Sequence, residues 1–94
     1  MNKYKIYIYQ NDKIYSTNEF EGESTGRVLV SVMRLLDRNL IARSEPGDEV
    51  KVNDSTRSIL GNDLGLHTTI HGTVENFEGR KYERHSFDVI ITKI

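Results

Sequence analysis

The stretch from Arg27 to Ile41, Arg-Val-Leu-Val-Ser-Val-Met-Arg-Leu-Leu-Asp-Arg-Asn-Leu-Ile, constrains the fold more than any other part of the chain. Val28, Leu29, Val32, Met33, Leu35, Leu36 and Leu40 recur at steps of three and four. At roughly 3.6 residues per turn, that spacing gathers them on one side of a helix. Such a side must be covered. Every other apolar run alternates with period two, so the expected cover is a β-sheet. The helix starts at Ser24 or Thr25, where a hydroxyl accepts from the free N–H groups of the first turn. No Glu or Gln follows three residues on, so there is no capping box. Arg38 and Arg43 suit the negative end of the helix dipole, and Pro46-Gly47 blocks continuation.

Opposite the apolar stripe stand Arg27, Ser31, Arg34 and Arg38, at offsets that fall within one narrow sector. Guanidinium groups in a row match phosphates or carboxylates. The alternative is a solvated helix face with Asp37 nearby.

The 94 residues suffice for one small domain with a single core, and 36% hydrophobic against 29% charged residues is a globular balance. A formal net charge of −1 lacks the basic excess typical of nucleic-acid binders, although a local basic face is compatible with it. With no cysteine there are neither disulfides nor thiolate metal sites. The first nine residues are too polar for a signal peptide, and no run approaches the roughly 20 apolar residues of a membrane span. The expectation is therefore a soluble, cytoplasmic protein. Asn, Ile, Lys and Tyr abound while Trp and Cys are absent, a bias that AT-rich coding produces and that resembles small accessory proteins of phages and mobile elements.

Residues 3–9 alternate as a strand, Asn11-Asp12 suit a tight turn, and residues 13–17 return. A two-residue turn there sets Ile8 opposite Tyr15 and Ile6 opposite Thr17 on one face, with Tyr7, Tyr9 and Ile14 on the other. If the Ile6/Ile8 face meets the helix, Tyr7 and Tyr9 are left half-exposed, as a stacking or docking platform or simply as good strand formers. Residues 18–26 read as a link in which Phe20 tucks under the helix. Glu45-Pro46-Gly47-Asp48 is a turn and residues 49–53 a strand, with Val50 and Val52 inward. The Glu49-x-Lys51 step resembles a fragment of a metal-dependent nuclease core, but the upstream acidic ligand that such a core needs is missing.

Residues 53–67 read as a long loop carrying Arg57, Asn62 and His67, with one helical turn over residues 56–60. Around it, Leu60-Gly61, Leu64-Gly65-Leu66 and Thr68-Thr69-Ile70 resemble part of a helix-turn-helix, which would imply DNA binding. The likeness breaks at His71, which falls where an apolar contact is needed, and at Gly72 inside the second helix. A strand over 68–78 answered by 81–94 is preferred. With Gly79-Arg80 as a two-residue turn, Phe77 faces Tyr82, Glu75 faces Arg84, His71 faces Asp88 and Gly72 faces Phe87. The run from Pro46 to Val52, then Gly72-Thr-Val and a returning hairpin, also resembles a small SH3-like barrel.

The expected fold is α+β, one helix on a largely antiparallel sheet made of an N-terminal hairpin, a middle strand and a C-terminal hairpin. The leading functional expectation is a non-enzymatic protein-binding or inhibitory accessory factor. Its contacts would come from Tyr7, Tyr9, Arg27, Arg34, Arg38, Arg57, Asn62 and His67. An alternative is a nucleic-acid-binding regulator that uses the arginine face, and a third is a small hydrolase with His71 oriented by Asp88. His67 and His71 lie about 13 Å apart along a strand, too far to share a metal. Neither metal nor cofactor is expected, and exposed edge strands are compatible with a homodimer.

Overall fold

A computed structural model describes residues 1–59 and 65–94, with the backbone alone over 55–59. Its elements are β1 (Asn2–Gln10), β2 (Lys13–Gly22), α1 (Thr25–Arg43), β3 (Glu49–Ile59), β4 (Gly65–Asn76) and β5 (Lys81–Lys93). The strands pair antiparallel in one five-stranded sheet, order β2-β1-β5-β4-β3, and α1 lies across one face. This is the expected α+β architecture. Among the described pairings the sheet is open, with β2 and β3 at its edges, so the closure that an SH3-like barrel implies is not found. No described helix is long and apolar enough to cross a membrane.

The helix begins where a hydroxyl can cap it. Ser24 is extended, its Oγ accepts from the Arg27 N–H at 3.3 Å, and its carbonyl accepts from Val28 at 3.1 Å. The helix ends at Arg43, where the Ser44 N–H and hydroxyl both turn back to the Ile41 carbonyl. Val28, Leu29, Val32, Leu36 and Leu40 are buried against Tyr4, Ile6, Ile8, Leu66, Ile70, Val74, Phe87, Val89 and Ile91 of the sheet. Each such side chain stabilises the fold by about 1.5–3 kcal/mol through removal from water. Gly72 lies directly beneath the end of the helix. A Cβ there would collide with Leu40 Cδ1, so the absence of a side chain lets α1 settle onto β4.

Asn11 and Asp12 both have positive φ, 54° and 63°, as the tight turn requires, and Tyr9 pairs with Ile14 as expected. The register then slips by one, pairing Ile8 with Ser16 and Ile6 with Asn18. The sequence pattern explains the bulge at Tyr15. An unbroken register would set Thr17, Glu19 and Glu21 opposite the buried face of β1, where carboxylates are costly. One extra residue keeps Tyr15 facing the core and brings Phe20 to that same side. Glu19 and Glu21 move to the other face, opposite Lys5 and Lys3. Residues 18–22, expected as a link, therefore belong to β2. Tyr15 meets Phe87 edge-on at 5.1 Å, and its hydroxyl accepts from Asn39 Nδ2 at 3.3 Å.

Two further expectations are corrected. β3 does not stop at Asn53 but continues to Ile59 beside β4, through a register shift between Asp54 and Thr56. Hence neither a loop over 53–59 nor a helical turn over 56–59 forms, and β4 starting at Gly65 replaces any second helix. The β4–β5 turn holds four residues, 77–80, rather than two. Every expected pair therefore shifts by two: Gly72 faces His85, Ile70 faces Phe87 and His71 faces Ser86. A shift of two leaves each side chain on its expected face.

A buried carboxylate selects that turn. Asp48, in the turn where Gly47 takes φ 90°, accepts from the Glu45 N–H at 2.9 Å, from Asn76 Nδ2 at 3.0 Å and from Lys81 Nζ at 2.9 Å. Asn76 Oδ1 in turn accepts from the Gly79 N–H at 2.9 Å, closing the hairpin. Three donors, led by the backbone N–H of Glu45, hold the Asp48 carboxyl down at a pKa of about 2. The same contact raises Lys81 above its ordinary value.

Candidate functional site

The sheet divides the expected contact residues between two surfaces. On the outward side of α1, Arg27, Arg34 and Arg38 are all exposed, spread over about 16 Å of helix at 1.5 Å per residue. Arg34 and Arg38 line a shallow depression of about 420 Å³ with Ser31, Asp37 and Phe20, the last supplied by the bulged strand β2. Val30 and Ile41 on the same helix are 47% and 52% exposed, adding apolar surface beside the charges. None of the three arginines forms an ion pair among the described residues.

Tyr7 and Tyr9 lie on the opposite face of the sheet, half-buried. The core takes Tyr4, Ile6 and Ile8, so alternation sends Tyr7 and Tyr9 outward. Tyr7 pairs with Ile90, which pairs in turn with the exposed His67, so that Tyr7, Ile90 and His67 form one row across β1, β5 and β4. Tyr9 pairs with Asp88. Arg57 pairs with Thr68 at the backbone level, and Asn62 lies outside the described residues.

The His71/Asp88 pairing is not formed. Asp88 lies opposite Thr69 and accepts from its hydroxyl at 3.2 Å. His71 Nδ1 lies 2.9 Å from Ser86 Oγ and 3.4 Å from Arg84 Nη2. Arginine can only donate, so Nδ1 is placed as the acceptor and the Ser86 hydroxyl as a donor to it. Ser86 is exposed on an open sheet face, without the enclosure that would exclude water from a reaction.

Sequence reasoning missed two surface features. Phe77, at the first position of the four-residue turn, is 82% exposed, and with Tyr82, Arg80 and Lys81 it borders a depression of about 310 Å³. The expected two-residue turn hid it by pairing it with Tyr82. The second feature is the unequal length of β1 and β5, 9 and 13 residues, which follows from where the two turns fall.

No protein-family model, characterised sequence or solved structure matches this chain.

Proposed function

We propose that this chain is a small, non-enzymatic binding protein that acts by covering an acidic patch on a partner protein with the outward face of α1. The observation that carries the reading is the arginine row itself. Arg27, Arg34 and Arg38 are exposed, share one face, and form no ion pair among the described residues. Their charge is available for carboxylates brought by another molecule, and guanidinium forks suit carboxylates geometrically. Val30, Ile41 and Phe20 supply the apolar area that a contact needs beyond charge.

The dimensions favour a protein patch over nucleic acid. The row is about 16 Å long by helix rise, and Glu23 stands immediately before the helix at its Arg27 end. A polyanion tracking the row would meet Glu23 next, whereas a compact acidic patch ends before it. The whole chain also carries a net charge of −1.

The test is a photo-crosslinking residue at Val30, which leaves all three arginines intact. Cells or lysate carrying it are irradiated with and without nuclease, beside the same protein with Arg34→Glu and Arg38→Glu. The reading expects one nuclease-resistant protein adduct, lost with the charge reversals. An adduct that nuclease removes, or one indifferent to the reversals, overturns it.

A further inference from the structure

The centre of the sheet has a step in it. β5 pairs with β4 over residues 81–92, but β1 accompanies it only from Asp88 to Lys93, because β1 turns back at Asn11-Asp12. Continuing that register sets Gln10, Asn11 and Asp12 beside Phe87, Ser86 and His85, so residues 81–84 of β5 have β4 on one side and no strand on the other among those described. This free edge is about 13 Å long at 3.3 Å per residue, in line with β1 and stopped by the end of the β1–β2 hairpin.

The two outer strands each carry a device that deters pairing: β2 has the Tyr15 bulge, and β3 has the shift after Asp54. The β5 stretch runs in unbroken register with β4 and contains neither proline nor glycine. Of its charges, Lys81 is held by Asp48, and Glu83 lies 3.6 Å from His85 Nε2, an ion pair only when that ring is protonated. Arg84 is exposed on the face away from the helix, its Nη2 3.4 Å from His71 Nδ1 of β4, and it is the cation of this edge that no carboxylate holds among the described residues. On the helix side, Leu40 and Val74, with Arg43, Lys81, Glu83 and His85, border a depression of about 230 Å³.

We propose that residues 81–84 of β5 are a strand-addition site, which takes an extended segment of a protein partner in the slot that β1 leaves open. The added strand would bond to the free backbone groups of β5. Its side chains would alternate, apolar ones on the helix side toward Leu40 and an acidic one beside Arg84. This rests on the reading of the chain as a binder of an acidic protein, and it names a route by which the partner engages.

The probe is a blocked heptapeptide of alternating valine and glutamate, titrated into the full-length isotope-labelled chain and followed by backbone amide shifts and hydrogen exchange. The expected result is shifts centred on residues 81–84 with slowed exchange there. Affinity should fall about tenfold for Arg84→Glu and for the valine–lysine counterpart peptide. Two further peptides, N-methylated on one or the other alternate set of residues, separate strand addition from charge attraction. One set faces β5 and its methylation abolishes binding; the other faces water and leaves binding intact. The proposal is overturned if residues 81–84 do not respond, if both methylated peptides bind equally, or if light scattering shows a dimer whose edge is already covered by a second copy. A protein adduct at Val30 beside a silent peptide titration would remove the strand route alone and leave the helix reading standing.

Discussion

Gly72→Ala should destabilise the fold through a single named atom. Alanine suits a strand better than glycine, and lower unfolded-state entropy alone would stabilise by about 0.4–1 kcal/mol. Against this, the new Cβ would collide with Leu40 Cδ1, and Leu40 is only 4% exposed. Overpacking of a filled core costs about 1–3 kcal/mol. The depression that Leu40 itself borders gives the side chain somewhere to move, which sets the cost in the lower part of that range. The net expectation is about 1 kcal/mol of destabilisation, or a fall of about 4–8 °C in Tm for a domain of this size. The decisive assay is a double-mutant cycle by urea unfolding. Leu40→Ala alone should cost about 2–5 kcal/mol as a cavity mutation. In that background the Gly72 change has nothing to collide with, so its cost should vanish or become a gain of up to about 1 kcal/mol. If the two single costs add, Leu40 is not what excludes a side chain at position 72.

Asp48 makes stability fall on the acid side. Its folded pKa of about 2 lies below the ordinary 3.8, so its contribution is complete above the ordinary value and lost as pH falls toward 2. Asp48→Asn should therefore be less stable than the parent at pH 7 and lose less between pH 5 and pH 2, as read by thermal unfolding. Lys81 has the opposite sense. Its raised pKa gives stability that is present below 10.5 and lost as pH rises past its folded value, a loss that Lys81→Met would remove from the alkaline limb. Ser24→Ala should cost about 1 kcal/mol through loss of the helix cap, measured by urea unfolding. Arg34→Glu with Arg38→Glu should stay within about 0.5 kcal/mol of the parent per site, since both side chains are exposed, so that loss of crosslinking at Val30 reports on contact and not on folding.

What could be read from the sequence was face, and what could not was register. The apolar steps from Val28 to Leu40 located the helix and its arginine side, because helical periodicity is local. Alternation in β1 likewise sent Ile6 and Ile8 inward and Tyr7 and Tyr9 outward. Alternation defines a pairing only modulo two, however, so it could not distinguish a two-residue from a four-residue turn. That choice rests on Asn76 and Lys81 meeting Asp48, 28 and 33 residues away. The bulge at Tyr15 was legible in principle. Inward positions run odd at Tyr15 and even at Phe20, and a strand can reconcile the two only with an extra residue. The stretch from Asn53 to Ile59 is rich in Asn, Asp, Ser and Thr, residues of turns, and pairing with β4 overrode that preference. The candidate site was half visible: the arginine row was plain, whereas Phe77 and the open edge of β5 depended on turn lengths.

The place of β5 at the middle of the sheet also has a consequence for assembly. It is the last of the five strands to be synthesised, yet it separates β1–β2 from β3–β4 and pairs with both. The β1–β2 hairpin and the helix thus leave the ribosome with Ile6, Ile8, Val32 and Leu36 lacking the strand that completes their cover. Pairing Tyr4 with Lys93 joins residues 89 apart in sequence, a slow step by the entropy of loop closure. Until it occurs, the nascent protein displays an unfinished apolar surface, and premature termination before β5 would leave two fragments of sheet with nothing to join them.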